Sequence, residues 1–143
     1  MLATEGLLAS RFVTAQVLVV EDDPDVRDSI VGLLESEVPW IQVSSANDGM
    51  EALELLEAGA EPSLALLDVM MPVMNGVEFL DTLRDRDLAP AMQIVLISAY
   101  VQFARHVNYP RISGLLPKPF RATELVEIVR HHCPDPAESR PKS

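Results

Sequence analysis

Five residues carry the chemistry in this sequence: Glu21, Asp22, Asp68, Ser98 and Lys118. Adjacent carboxylates such as Glu21 and Asp22 repel one another unless a cation lies beside them. A third carboxylate, with no His or Cys nearby, makes an oxygen-only donor set. That set suits a hard cation, and magnesium is the natural candidate, taking one or two carboxylates and filling the rest with water and phosphate oxygens. A carboxylate can also attack phosphorus, giving an aspartyl phosphate. A metal ion and the Lys118 ammonium would then balance the charge on the phosphoryl oxygens. The Ser98 hydroxyl could donate to the same oxygens, a charge-assisted bond worth roughly 1.5–3 kcal/mol.

These residues act together only if the fold gathers them. Residues 64–67 are four consecutive apolar residues, which predicts a strand buried on both faces of a parallel sheet. Asp68 stands where that strand ends, and Pro72 with Asn75-Gly76 predicts a loop before the next helix. The carboxyl ends of parallel strands are where open α/β sheets bind ligands. A lone strand-end Asp is equally well explained as a partner for loop amides; the other strand ends shift that balance.

Further short apolar runs at 16–20, 93–97 and 114–116, with a stretch of alternating character at 41–44, predict four more strands. Asp23-Pro24 starts a helix running to about residue 37, with an N-cap carboxylate followed by proline. Asn47-Asp48-Gly49 starts a second, which ends near Gly59. A third follows Gly76 to about residue 86. Residues 101–107 predict a short fourth helix, ended by Asn108-Tyr109-Pro110. Thr123 is the expected cap of the fifth, with His131 and His132 in its last turn. Five strand–helix pairs with short connections specify an α/β sheet covered on both faces. Glu21, Asp22, Asp68, Ser98 and Lys118 all fall just past strand ends and should share one rim.

The chain has 143 residues, 48% hydrophobic, with a net charge of −11. The length suits one domain, read as residues 15–133, with a leader at 1–14 and a flexible tail or linker stub at 134–143. The acidic balance argues against direct binding to nucleic acid or an anionic membrane. A single cysteine excludes an internal disulfide and fits a reducing cytoplasm. No apolar run approaches transmembrane length. His106, His131 and His132 lack metal-ligand spacing and are expected to be solvated surface residues.

The motifs Val19-Val20-Glu21-Asp22-Asp23, Leu67-Asp68-Val69-Met70-Met71-Pro72 with Asn75-Gly76, Ile97-Ser98-Ala99 and Lys118-Pro119-Phe120 occur in this order at strand ends. Each is weak alone; together they are specific. The sequence resembles the receiver domain of bacterial two-component response regulators, over about residues 16–132. The resemblance implies a flavodoxin-like three-layer sandwich with sheet order 2-1-3-4-5 and five helices. It implies Asp68 as phosphoacceptor and a magnesium site built from Glu21, Asp22, Asp68 and the backbone carbonyl of Met70. Ser98 would be the switch hydroxyl, Lys118 the phosphate contact, and Lys118-Pro119 a cis bond. The donor would be a phosphohistidine on a sensor histidine kinase or phosphotransfer protein. The partner-binding surface would be the fourth helix, fifth strand and fifth helix, contacting an output domain, a downstream protein or a second copy. The chain would be a signalling module, not a turnover enzyme.

Leu115 stands where many receivers carry an aromatic residue that rotates on activation. With Phe103, Tyr109 and Ile112 it could leave an apolar patch, though ordinary core packing accounts for each singly. Met70 and Tyr100 occupy positions that, by resemblance, flank the water path to the phosphoryl group. Two other functions fit less of the sequence. An Asp-nucleophile, magnesium-dependent phosphatase of the haloacid-dehalogenase type needs a second Asp where Met70 stands. A phosphorylation-independent interaction module of the same fold leaves the acid cluster unexplained.

Overall fold

A computed structural model describes residues 15–71 and 73–138. The leader at 1–14, Pro72 and residues 139–143 of the tail lie outside the described residues. Five parallel strands are present: β1 (Ala15–Val20), β2 (Ile41–Ala46), β3 (Leu64–Asp68), β4 (Gln93–Ser98) and β5 (Ile112–Pro117). They alternate with α1 (Pro24–Glu37), α2 (Gly49–Glu57), α3 (Gly76–Arg86), α4 (Val101–Arg105) and α5 (Ala122–His132). The sheet order is 2-1-3-4-5, as expected. β3 is central and buried along its whole length, which is why it reads as an unbroken apolar run.

Side chains alternate across the sheet and divide the core in two. Leu18, Val20, Leu67, Ile94 and Leu96 face α2 and α3, where Leu53, Phe79 and Leu83 close the layer. Val17, Val19, Leu64, Leu66 and Ile97 face α1 and α5, meeting Ile30, Leu34, Leu125 and Val129. The result is a helix–sheet–helix sandwich of the flavodoxin type.

Three local readings change. Asn75-Gly76 is not loop: Asn75 is the N-cap of α3 and Gly76 its first residue. Asn75 Oδ1 accepts the Glu78 N–H at 2.9 Å and Glu78 Oε1 accepts the Asn75 N–H at 3.2 Å, a capping box that outcompetes the turn. Thr123 is not the cap of α5; Arg121 holds that position, and its N–H donates to Glu124 Oε1 at 3.0 Å. β5 is longer than expected because Ser113 sits in a bulge: Ile94 pairs with Ile112 while Val95 pairs with Gly114.

Candidate acidic site at the carboxyl rim

β1 ends into Glu21 and Asp22, and β3 ends in Asp68 beside it, because Val20 pairs with Leu67. One carboxylate oxygen from each of Glu21, Asp22 and Asp68 lies within 4.8 Å of the others. Glu21 and Asp68 are buried, at 3% and 6% exposure. The end of β5 brings Lys118 across to them. Its Nζ donates to Glu21 Oε1 at 2.8 Å and to Asp68 Oδ2 at 3.3 Å. The Met70 N–H donates to Asp68 Oδ1 at 3.1 Å, so both oxygens of Asp68 are held. The Lys118-Pro119 bond is cis.

Ser98 is fully buried at the end of β4. Its Oγ accepts the Tyr100 N–H at 2.8 Å, and its carbonyl accepts the Lys118 N–H at 2.9 Å. The hydroxyl and the ammonium are therefore tied through one stretch of backbone. Met70 and Tyr100 stand outside the cluster, 46% and 61% exposed.

The electrostatics follow from burial. Burial, then Asp68 alongside, push the Glu21 carboxyl up to about 8, against the pull of Lys118. Burial also works against the Lys118 ammonium, but its hydrogen bond to Glu21 and the charges of Asp68 and Glu21 outweigh it and raise its pKa. Three carboxylates facing one ammonium leave an excess of negative charge in an oxygen-only pocket. A divalent hard cation matches that donor set.

Several features at the rim carry little sequence signal. Arg27, in the first turns of α1, donates from its guanidinium to the Glu21 carbonyl at 2.9 Å. Gly76 packs against the end of β3: a Cβ there would lie 2.9 Å from Val69 Cα and 3.2 Å from the Asp68 carbonyl oxygen. Val73, in the loop between, takes φ +67°, unusual for a β-branched residue.

Away from the rim, His132 is not simply solvated. It is half-buried, its Nε2 lies 2.7 Å from Ser113 Oγ and its Nδ1 lies 2.9 Å from the Ile128 carbonyl. The bulge aims Ser113 at it. His106 and His131 are exposed. Leu115, Tyr109 and Ile112 are half-buried against the core, and Phe103 is exposed.

A family model described as the response regulator receiver domain matches residues 17–130. A transcriptional regulatory protein, the CpxR homolog of Haemophilus influenzae, is 35% identical over 123 residues, covering 81% of this chain and 49% of that protein. The sensor kinase CckA of Brucella abortus is 37% identical over 120 residues, covering 82% of this chain and 12% of that protein. The chain therefore spans about half of one of these relatives and a small part of the other. Among solved structures, the receiver domain of a sensor histidine kinase from Pseudomonas aeruginosa covers 83% of this chain and 97% of its own, at 25% identity and a TM-score of 0.71. That structure has a magnesium ion coordinated in its active site cleft.

Proposed function

This chain belongs to the response regulator receiver domain family of two-component systems, and we propose that it is a phosphoacceptor whose acceptor residue is Asp68. The observation that carries the reading is the meeting of Glu21, Asp22, Asp68 and Lys118 at one rim, from three separate strand ends. An Asp68 carboxylate oxygen attacks the phosphorus of a phosphohistidine on a sensor histidine kinase or phosphotransfer protein. The new O–P bond forms as the P–N bond breaks; the imidazole nitrogen keeps the electron pair and takes up a proton. Lys118, already 3.3 Å from Asp68 Oδ2, is within reach of the incoming phosphoryl oxygens.

Glu21, Asp22, Asp68 and the Met70 carbonyl would hold a magnesium ion, which when bound would supply positive charge to balance the acids and the phosphoryl group. Around it the chain's own residues do the positioning. The Met70 amide orients Asp68, and Glu21 holds the Lys118 ammonium in place. The Ser98 oxygen accepts from Tyr100, which leaves the hydroxyl hydrogen free to swing toward a new anion. Moving Ser98 moves the loop into α4, a five-residue helix that ends at Arg105. The surface of α4, β5 and α5 then repacks for an output domain, a downstream protein or a second copy. The unit, residues 15–133, acts in the cytoplasm as a signalling module, catalysing only its own phosphorylation and dephosphorylation, without direct contact to nucleic acid or membrane.

A phosphorylation-independent module is the second reading, and Leu115 is what favours it. This side chain is half-buried against the core and has no ring to rotate. The phosphatase reading lacks its acid–base residue, because Met70 is apolar. Transfer from acetyl phosphate in magnesium, lost in Asp68→Asn, separates these readings.

A further inference from the structure

Asp22 is the member of the acid cluster with nothing of its own to aim it. Glu21 is fixed on three sides: its N–H donates to the Ala46 carbonyl at 3.1 Å, its carbonyl accepts from Arg27 at 2.9 Å, and its side chain accepts from Lys118 at 2.8 Å. Asp68 is held through both carboxylate oxygens. The Asp22 carboxylate has no hydrogen bond or ion pair among the described residues, yet its oxygen stands within 4.8 Å of the other two. Its direction is therefore set by the main chain on either side. On the C-terminal side that chain is pinned by Asp23, whose Oδ1 caps the amides of Asp25 and Val26 at 2.9 and 3.3 Å. On the N-terminal side it is pinned at the Glu21 carbonyl, one half of the Glu21–Asp22 peptide plane. The group on that carbonyl is the half-buried Arg27 guanidinium, reaching back six residues.

We propose that Arg27 is a positioning residue for metal binding: by holding the Glu21 carbonyl it fixes the plane of the Glu21–Asp22 peptide and so aims the Asp22 carboxylate at the cation. This rests on the reading of the cluster as a magnesium site. Arg27 has two opposed effects on such a site. As a cation near three acids it disfavours a second cation; as a clamp it lowers the ordering cost of the ligands. Removing it by Arg27→Met strengthens magnesium binding if charge dominates and weakens it if positioning dominates. The two roles thus differ in sign.

The test is titration calorimetry of magnesium into the metal-free chain, for the native protein, Arg27→Met and Arg27→Lys, with thermal unfolding of each alongside. Positioning predicts affinity about tenfold weaker in Arg27→Met, and an intermediate value in Arg27→Lys, which keeps a charged donor on a different stem. Affinity equal to or tighter than native in Arg27→Met overturns the proposal. Should that variant not fold, Arg27→Lys decides: weaker binding supports the clamp and native binding opposes it. If the native chain itself binds no magnesium, it is the magnesium-site reading that fails, and the two failures are distinct.

Discussion

Lys118 and Glu21, 97 residues apart in sequence, meet at 2.8 Å in the rim of the sheet. The ammonium is the only cation among the described residues to form an ion pair with the cluster, and it divides its donors between Glu21 and Asp68. Removing it leaves two buried carboxylates uncompensated. Because Glu21 already holds its proton to unusually high pH, the loss is moderated by protonation. Lys118→Met is expected to lower the stability of the metal-free chain by about 2 kcal/mol, read from urea unfolding at pH 7. Magnesium should recover more stability in this variant than in the native chain. An unchanged urea midpoint would mean that the pair contributes nothing.

Glu21 sets a pH dependence. Its carboxyl has an ordinary value of 4.5 and is raised to about 8 by burial, then by Asp68. Between those values the folded chain binds more protons here than the unfolded chain does. Stability from this group is thus complete below about pH 4.5 and is lost as pH rises through about 8. The metal-free urea midpoint should fall from pH 6 to pH 8 after correction with Glu21→Gln. Magnesium competes with the same proton, so its affinity should climb over that window and binding at pH 7 should release protons. Calorimetry in two buffers of different ionisation enthalpy measures the release; none would show that Glu21 is already ionised.

Gly76 and Gly32 make an opposed pair. A methyl group on Gly76 meets the backbone of Val69 and Asp68, whereas one on Gly32 meets nothing within 4 Å. Gly76→Ala should cost about 1–3 kcal/mol and slow labelling of Asp68, since the strand end must shift. Gly32→Ala, in an exposed helical position, should gain up to about 1 kcal/mol. Equal effects on urea unfolding would remove the close approach as the cause.

Met70 and Tyr100 bear on the lifetime of the phosphoryl group. Both carry large, exposed side chains two residues after Asp68 and Ser98, at positions where, by the family resemblance, bulk hinders attacking water. The native chain should lose its phosphoryl group more slowly than Met70→Asn, followed by mass over time after removal of donor. Faster decay in the native chain would mean that these side chains do not screen the site.

The sequence announces this rim because strand ends are marked by abrupt changes of residue type. The run 64–67 into Asp68 and the run 16–20 into Glu21-Asp22 locate two of its walls by hydrophobicity alone, and parallel pairing does the rest. What escapes is whatever depends on the path of a single side chain or on local backbone competition. Arg27 looks like an ordinary surface cation of an amphipathic helix; its reach to the Glu21 carbonyl depends on how β1 turns into α1. His132 looks solvated until the bulge at Ser113 turns a hydroxyl toward it. Asn75-Gly76 has the composition of a turn, and only Glu78 three residues later distinguishes a capping box. The indole N–H of Trp40, just before β2, donates to the Cys133 carbonyl at 2.7 Å and ties the start of β2 to the end of α5, a contact that no local sequence pattern marks.

The phosphoacceptor role of Asp68 is tested most directly by the intact mass of the chain after incubation with magnesium and acetyl phosphate, beside Asp68→Asn. One added phosphoryl group in the native chain, absent from the variant, is the predicted result. No addition under conditions that label a known receiver, or equal addition to both chains, would contradict it.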